Sequence, residues 1–192
     1  MSIITNSCIA GYLYKDIFHM PYPHPFIWSK IRFDSFVTLL LHFNDIDFRN
    51  IKLHDMNHIL IDNSVDVHYL HYVQNNSSKT PTYEPKSNTI QYNHIDEYII
   101  TKYNERLNRM TFSEPFIFMM GHSYEYLTRE QLIRLNDLNI SYRLFVWNDI
   151  VIPCSNHNIS MIPVKTRNNN RALTIELMNY IKVNKVSTGN LS

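Results

Sequence analysis

The sequence predicts an α/β fold in one domain, with a largely parallel sheet flanked by helices. Three observations predict it. Segments rich in β-branched and aromatic residues alternate with segments whose apolar residues recur at helical spacing. The 192-residue chain is the size of one domain, and at 44% hydrophobic and 18% charged it can bury a core unaided. No internal repeat or low-complexity tract interrupts the alternation. The domain is set at positions 1–184, and 185–192 is read as a frayed tail.

Ile3 and Ile4 make a short β-branched start, followed by Thr5, Asn6 and Ser7, small polar residues that favour turns and caps. Ala10, Leu13, Ile17 and Met20 recur near helical spacing, so Cys8 falls at a strand–helix turn. Pro21, Pro23 and Pro25 end that helix, and Phe26–Trp28 reads as a core anchor. Asp34 is the expected cap of a second helix with Phe36, Val37, Leu40 and Leu41 on its apolar face. Weak strand signals lie at Ile51–Leu53 and Ile59–Ile61. Val65–Val73 is the clearest strand, with Asp66 and His68 on one side of the pleat and Val65, Val67, Tyr69 and His71 on the other.

Polar residues and prolines at 74–93 read as an exposed, mobile loop. Helical spacing resumes from Ile95 to Met110. Phe116–Met120 and Tyr142–Trp147 read as buried strands. Between them Thr128–Gln131 forms a capping box that opens a helix. Arg171–Val183 is the last helix. The central sheet is expected to hold strands near Ile3, Val67, Phe118 and Phe145.

Composition narrows the function classes. The formal net charge is +1, and no aromatic stacking motif appears, so nucleic acid is not an expected partner. Two cysteines are too few for a disulfide framework and suit a reducing compartment; a soluble, cytoplasmic protein without membrane insertion is the expectation. Only three glycines are present, and no P-loop, dinucleotide fingerprint or nucleophile elbow occurs.

Cys8 is the first candidate for chemistry. A thiol at the start of a helix gains from backbone N–H groups, which favour the thiolate and an oxyanion. It also needs a base, which His68 or His71 offers; His68 is the expected one, because Asp66, two residues away, shares its side of the pleat. The other reading of Cys8 is a small buried apolar residue. His54 and His58 are spaced like a helical zinc pair. The intervening acid is Asp, no third ligand is evident, and the segment lacks an apolar helical face, so no metal is expected. Arg106 and Arg109, three apart, could clamp a phosphate or carboxylate, or could be a solvated face. Lys165, Arg167 and Arg171 make a second basic stretch, read as a solvated loop.

Several of these segments, in order, resemble bacterial proteins of exopolysaccharide and capsule biosynthesis. Those open with a strand ending Asn-Asn-Cys, then Gly-Tyr and a helix; here Ile3–Cys8 and Gly11-Tyr12 match. Val67–Tyr72 matches their histidine-bearing strand, Tyr103–Arg109 their Trp-x-x-Arg-x-x-Arg run, and Phe116–Met120 their phenylalanine-rich strand. Pro25–Trp28 is also similar to a stretch of related papain-like cysteine peptidases, and capsule-operon acetyltransferases share a comparable turn. The likeness covers about positions 3–150.

The resemblance implies a papain-like variant fold and a cysteine-dependent acyltransferase. Cys8 would be the nucleophile, His68 or His71 the base and Asp66 its neighbour. Asn6, Ser7, Arg106 and Arg109 would bind substrate. The substrate implied is a saccharide or sugar-lipid, with an acyl donor such as acyl-coenzyme A and partners in polysaccharide assembly. A peptidase and a non-catalytic assembly subunit are the alternatives. Ser7, Ile9, Tyr103 and Gly121-His122 depart from the pattern, and the last pair leaves a triad's third member unassigned.

Overall fold

A computed structural model describes residues 2–55, 58–69, 95–113, 116–121, 127–164 and 170–183. They form two four-stranded sheets with helices between and around them. The first sheet is parallel, in the order β1 (Ser2–Thr5), β6 (Phe116–Met120), β7 (Arg143–Asn148) and β8 (Ile159–Pro163). The second is antiparallel, in the order β2 (Ser29–Ile31), β5 (Val65–Tyr69), β4 (His58–Ile61) and β3 (Ile51–Asp55).

The expected alternation therefore holds around Ile3, Phe118 and Phe145. Val67 departs from it, lying in the antiparallel sheet. The physical reason is chain economy: only two residues join β3 to β4 and three join β4 to β5, room for tight turns but not for the crossover that parallel pairing needs. Asp62 and Asn63 take positive φ at one of those turns, the region asparagine and aspartate tolerate best.

The inner parallel strand β6 and its neighbour β1 are buried along their whole length and β7 nearly so, as strands covered on both faces must be, whereas the edge strand β8 is partly exposed. One apolar cluster runs between the sheets, joining Ile4, Phe118, Leu144 and Val146 to Ile59, Ile61, Val67 and Tyr69. Phe36, Val37, Leu39 and Leu40 of α2 (Phe33–His42) fill the same core, whereas Leu41 is exposed. The helix starts one residue before Asp34, with Arg32 at the capping position, so Asp34 sits in the first turn and pairs with Arg134 at 2.5 Å. A second cluster lies on the other face of the parallel sheet, where Ile9 and Leu13 meet Leu173 and Leu177 of α5 (Asn170–Val183).

The capping box opens α4 (Arg129–Asn136) as read from sequence. Thr128 Oγ1 accepts from Gln131 N at 3.2 Å, and Gln131 Oε1 accepts from Thr128 N at 3.0 Å. Thr128→Ala removes one of these bonds, so urea denaturation is expected to show a loss of about 1 kcal/mol. An unchanged midpoint would mean that the box contributes nothing.

Candidate site at the carboxyl end of the first strand

In open parallel sheets, ligands bind beyond the carboxyl ends of the strands. At that end of β1 the chain turns through Asn6, Ser7 and Cys8, all buried. Thr5 braces the turn: its Oγ1 donates to Ser7 O at 2.5 Å and accepts from Ala10 N at 3.3 Å. Asn6 ties the turn outward. Its Oδ1 accepts from Gly121 N at 3.0 Å, at the end of β6, and its carbonyl accepts from Ile31 N of β2 at 3.0 Å. Asn6 thus bonds across both sheets, and its side-chain oxygen is engaged by the protein itself.

Cys8 precedes α1 (Ile9–Tyr12), a helix of only four residues that continues as a π-helical turn, Leu13–Ile17. Such a short helix carries little dipole. The thiol is 8% exposed and packs among Ala10, Tyr14, Ile27 and Trp28. Burial pushes its pKa up, and the residue's own backbone offsets part of that effect. The expected stabilisation of a resting thiolate is therefore outweighed by desolvation.

Trp28 shapes this place. It adopts φ 60, a costly conformation for a bulky residue and one that tends to persist at functional sites. Its indole lies flat against Gly11, where an added Cβ would stand 2.2 Å from Cδ2. Tyr12 meets it edge-on at 4.9 Å between ring centroids and Tyr22 at 6.4 Å. The Arg106 guanidinium lies 5.1 Å from the Tyr22 ring centre and donates to Ile27 O at 3.1 Å.

Arg106 and Arg109 do not share a face. α3 (Ile95–Leu107) ends before Arg109, which is exposed, while Arg106 is 1% exposed. Sequence spacing alone assumed that the helix ran on. Tyr69 joins the site from β5, its hydroxyl donating to Pro25 O at 2.9 Å.

His24 is an imidazole that sequence reading passed over. It is fully buried and its Nε2 lies 2.8 Å from Ile3 O. A carbonyl only accepts, so Nε2 carries the proton and Nδ1 is bare; among the described residues Nδ1 has no hydrogen-bond partner. Burial pushes the pKa down to about 3, with Arg106 adding to the fall and the Ile3 bond opposing it. Its place between Pro23 and Pro25 was the available signal, since a polar residue beside a core anchor needs a buried partner. Asn148, buried at the end of β7, also went unnoticed: it pairs with both backbone groups of Leu127.

The structure puts His68 elsewhere. Asp66 and His68 share one side of the pleat, as the alternation predicts, but the ring of His68 stacks on His58 at 4.2 Å and 12°. Asp66 accepts from His58 Nδ1 at 3.0 Å, so it orients His58 rather than His68. Desolvation, then His58, Lys30 and Arg32, lower the pKa of His68, against which Asp66 works; Cys8 is not among these neighbours.

His71, the 74–93 segment, His122, Lys165, Arg167 and the 185–192 tail lie outside the described residues. His54 and His58 stand on adjacent strands, so helical spacing does not relate them. Among the described residues no trio of His, Cys, Asp or Glu is placed to hold a metal ion, and no helix is long and apolar enough to cross a membrane. Neither Cys8 nor Cys154 forms a disulfide among the described residues.

No protein-family model matches the chain, and no curated protein matches it.

Proposed function

We propose that the protein acts in the biosynthesis of a surface polysaccharide, in the cytoplasm, and that the Cys8 turn is its working site for thiol-dependent acyl transfer to a saccharide or sugar-lipid. One observation carries the reading. The segments that bear the resemblance lie far apart in the chain, yet residues from three of them meet around Cys8: Asn6 with Gly11-Tyr12, Ile27-Trp28, and Arg106. Half-buried Tyr12 and Tyr22 offer ring faces suited to an apolar sugar face.

In this reading Cys8 gives its proton to a base and attacks the thioester carbonyl of an acyl-coenzyme A, and the coenzyme A thiolate leaves with that proton. The sugar hydroxyl then gives its proton to the base and takes the acyl group, and Cys8 leaves and is reprotonated. Of the two imidazoles the resemblance offers, His71 is assigned as that base, because His68 is stacked on His58. Arg106 positions Ile27 and Tyr22 rather than clamping substrate on an open surface. The shared core supports one α/β domain over 1–184, and we assign it to a papain-like variant fold.

A second reading has a specific observation in its favour. A thiol 8% exposed among apolar neighbours, with its pKa raised, suits a non-catalytic subunit of polysaccharide assembly. Thiol labelling followed by intact mass decides between the two. For acyl transfer, Cys8 in the native protein is acylated by an acyl-coenzyme A, and both Cys8→Ser and His71→Gln abolish the adduct while leaving the melting temperature within about 2 °C. Labelling of Cys154 alone, or acylation indifferent to His71, would leave the assembly-subunit reading in place.

A further inference from the structure

One side of the antiparallel sheet gathers basic residues from neighbouring strands. Lys30 on β2 stands opposite His68 on β5, and His68 stands opposite His58 on β4. Facing residues in adjacent strands put their side chains on one side, so the three form a row across the sheet. Arg32, two residues beyond Lys30 in extended backbone, joins the same side. Among the described residues the Lys30 and Arg32 side chains make no hydrogen bond or ion pair. Two carboxylate residues belong to the same side: Asp66, which is engaged by His58 Nδ1, and Asp55 of β3, which stands opposite His58 in the register. Ser35 of α2 is also taken, its hydroxyl receiving Asp66 N at 3.2 Å.

We propose that this face is a binding site for a phosphoryl-type dianion, held by Lys30 and Arg32 and completed by a proton on His68. It stands independently of the Cys8 reading. Two fixed cations beside an imidazole match two negative charges on one tetrahedral oxyanion. Without the anion, desolvation first, then His58, Lys30 and Arg32, disfavour a proton on His68, and Asp66 works against them. A bound dianion reverses that field, so binding takes up a proton and tightens as pH falls. The ordinary histidine range makes the coupling effective near neutral pH. The dianion could be free or part of a phosphorylated sugar; the chemistry of recognition is common to both.

The test titrates the full chain with sulfate, which stays doubly charged at mildly acidic pH, and follows the imidazole resonances by NMR. The expected results are a rise in the His68 pKa on sulfate binding and an affinity several-fold tighter at about pH 5.5 than at about pH 7.5. Lys30→Ala with Arg32→Ala should weaken binding about tenfold or more. His68→Gln should bind with no pH dependence. Parallel titrations with inorganic phosphate and a sugar phosphate at fixed pH tell the sources apart: equal affinity assigns the free anion, and tighter sugar phosphate assigns the phosphorylated substrate. Sulfate that leaves His68 unmoved, or binds the double variant as it binds the native chain, overturns the proposal; far-ultraviolet circular dichroism checks that the variants are folded.

Discussion

Acidification from pH 6.5 to pH 4 is expected to cost the folded protein about 3 kcal/mol through His24 alone, and roughly 4–5 kcal/mol once pH 3 is reached. The sign follows from the direction of the shift. Buried His24 titrates at about 3, whereas in the unfolded chain it titrates near its ordinary 6.5. Between those values the unfolded state binds a proton that the folded state does not. Stability is therefore full above the unfolded pKa and falls as pH drops through the window, becoming constant below about 3.

Denaturant unfolding at a series of pH values measures this slope. His24→Gln keeps an N–H able to reach Ile3 O but cannot titrate, so its curve should be flatter by that amount. A residual slope of the same sign would come from His68, whose pKa is also lowered. If the native protein and His24→Gln lose stability in parallel, His24 is not buried as a neutral imidazole beside Ile3.

Gly11→Ala is expected to destabilise the protein by about 3 kcal/mol or more, the upper range for overpacking. The new Cβ would stand 2.2, 2.3 and 2.6 Å from three atoms at the centre of the Trp28 indole, contacts that real side chains do not tolerate. The indole cannot simply swing aside. Tyr12 and Tyr22 hold it edge-on, and its backbone is already at φ 60. At this chain length the loss corresponds to roughly 6–12 °C in melting temperature. Trp28→Leu in the same chain opens the space, so the double variant should lie well above the sum of the two single losses. A Gly11→Ala protein within about 1 kcal/mol of the native one, or strictly additive losses, would show that the indole does not rest on Gly11.

These two residues mark what sequence could and could not convey. Gly11 was legible as part of a Gly-Tyr motif, but the reason for glycine lies 17 positions away in Trp28, and no local pattern encodes a contact at that range. His24 gave no periodic signal because it lies among prolines, outside any strand or helix. Arg106 was legible as a helical arginine, yet its burial depends on where Ile27 and Tyr22 come to rest.

What the sequence determined by itself is local. Strands at Ile3, Val67, Phe118 and Phe145, the weaker strands at Ile51 and Ile59, the capping box at Thr128 and the sidedness of Asp66 and His68 all follow from periodicity and short-range hydrogen bonding. Tertiary structure decided the rest. It split the strands into a parallel and an antiparallel sheet, because that choice rests on which strands meet and not on any one strand's composition. It also set Cys8 in an apolar cluster, where desolvation outweighs the short helix, and turned His68 toward His58 and Lys30. A proton's affinity depends on burial and on charges brought close by folding, and neither quantity exists until the chain has closed on itself.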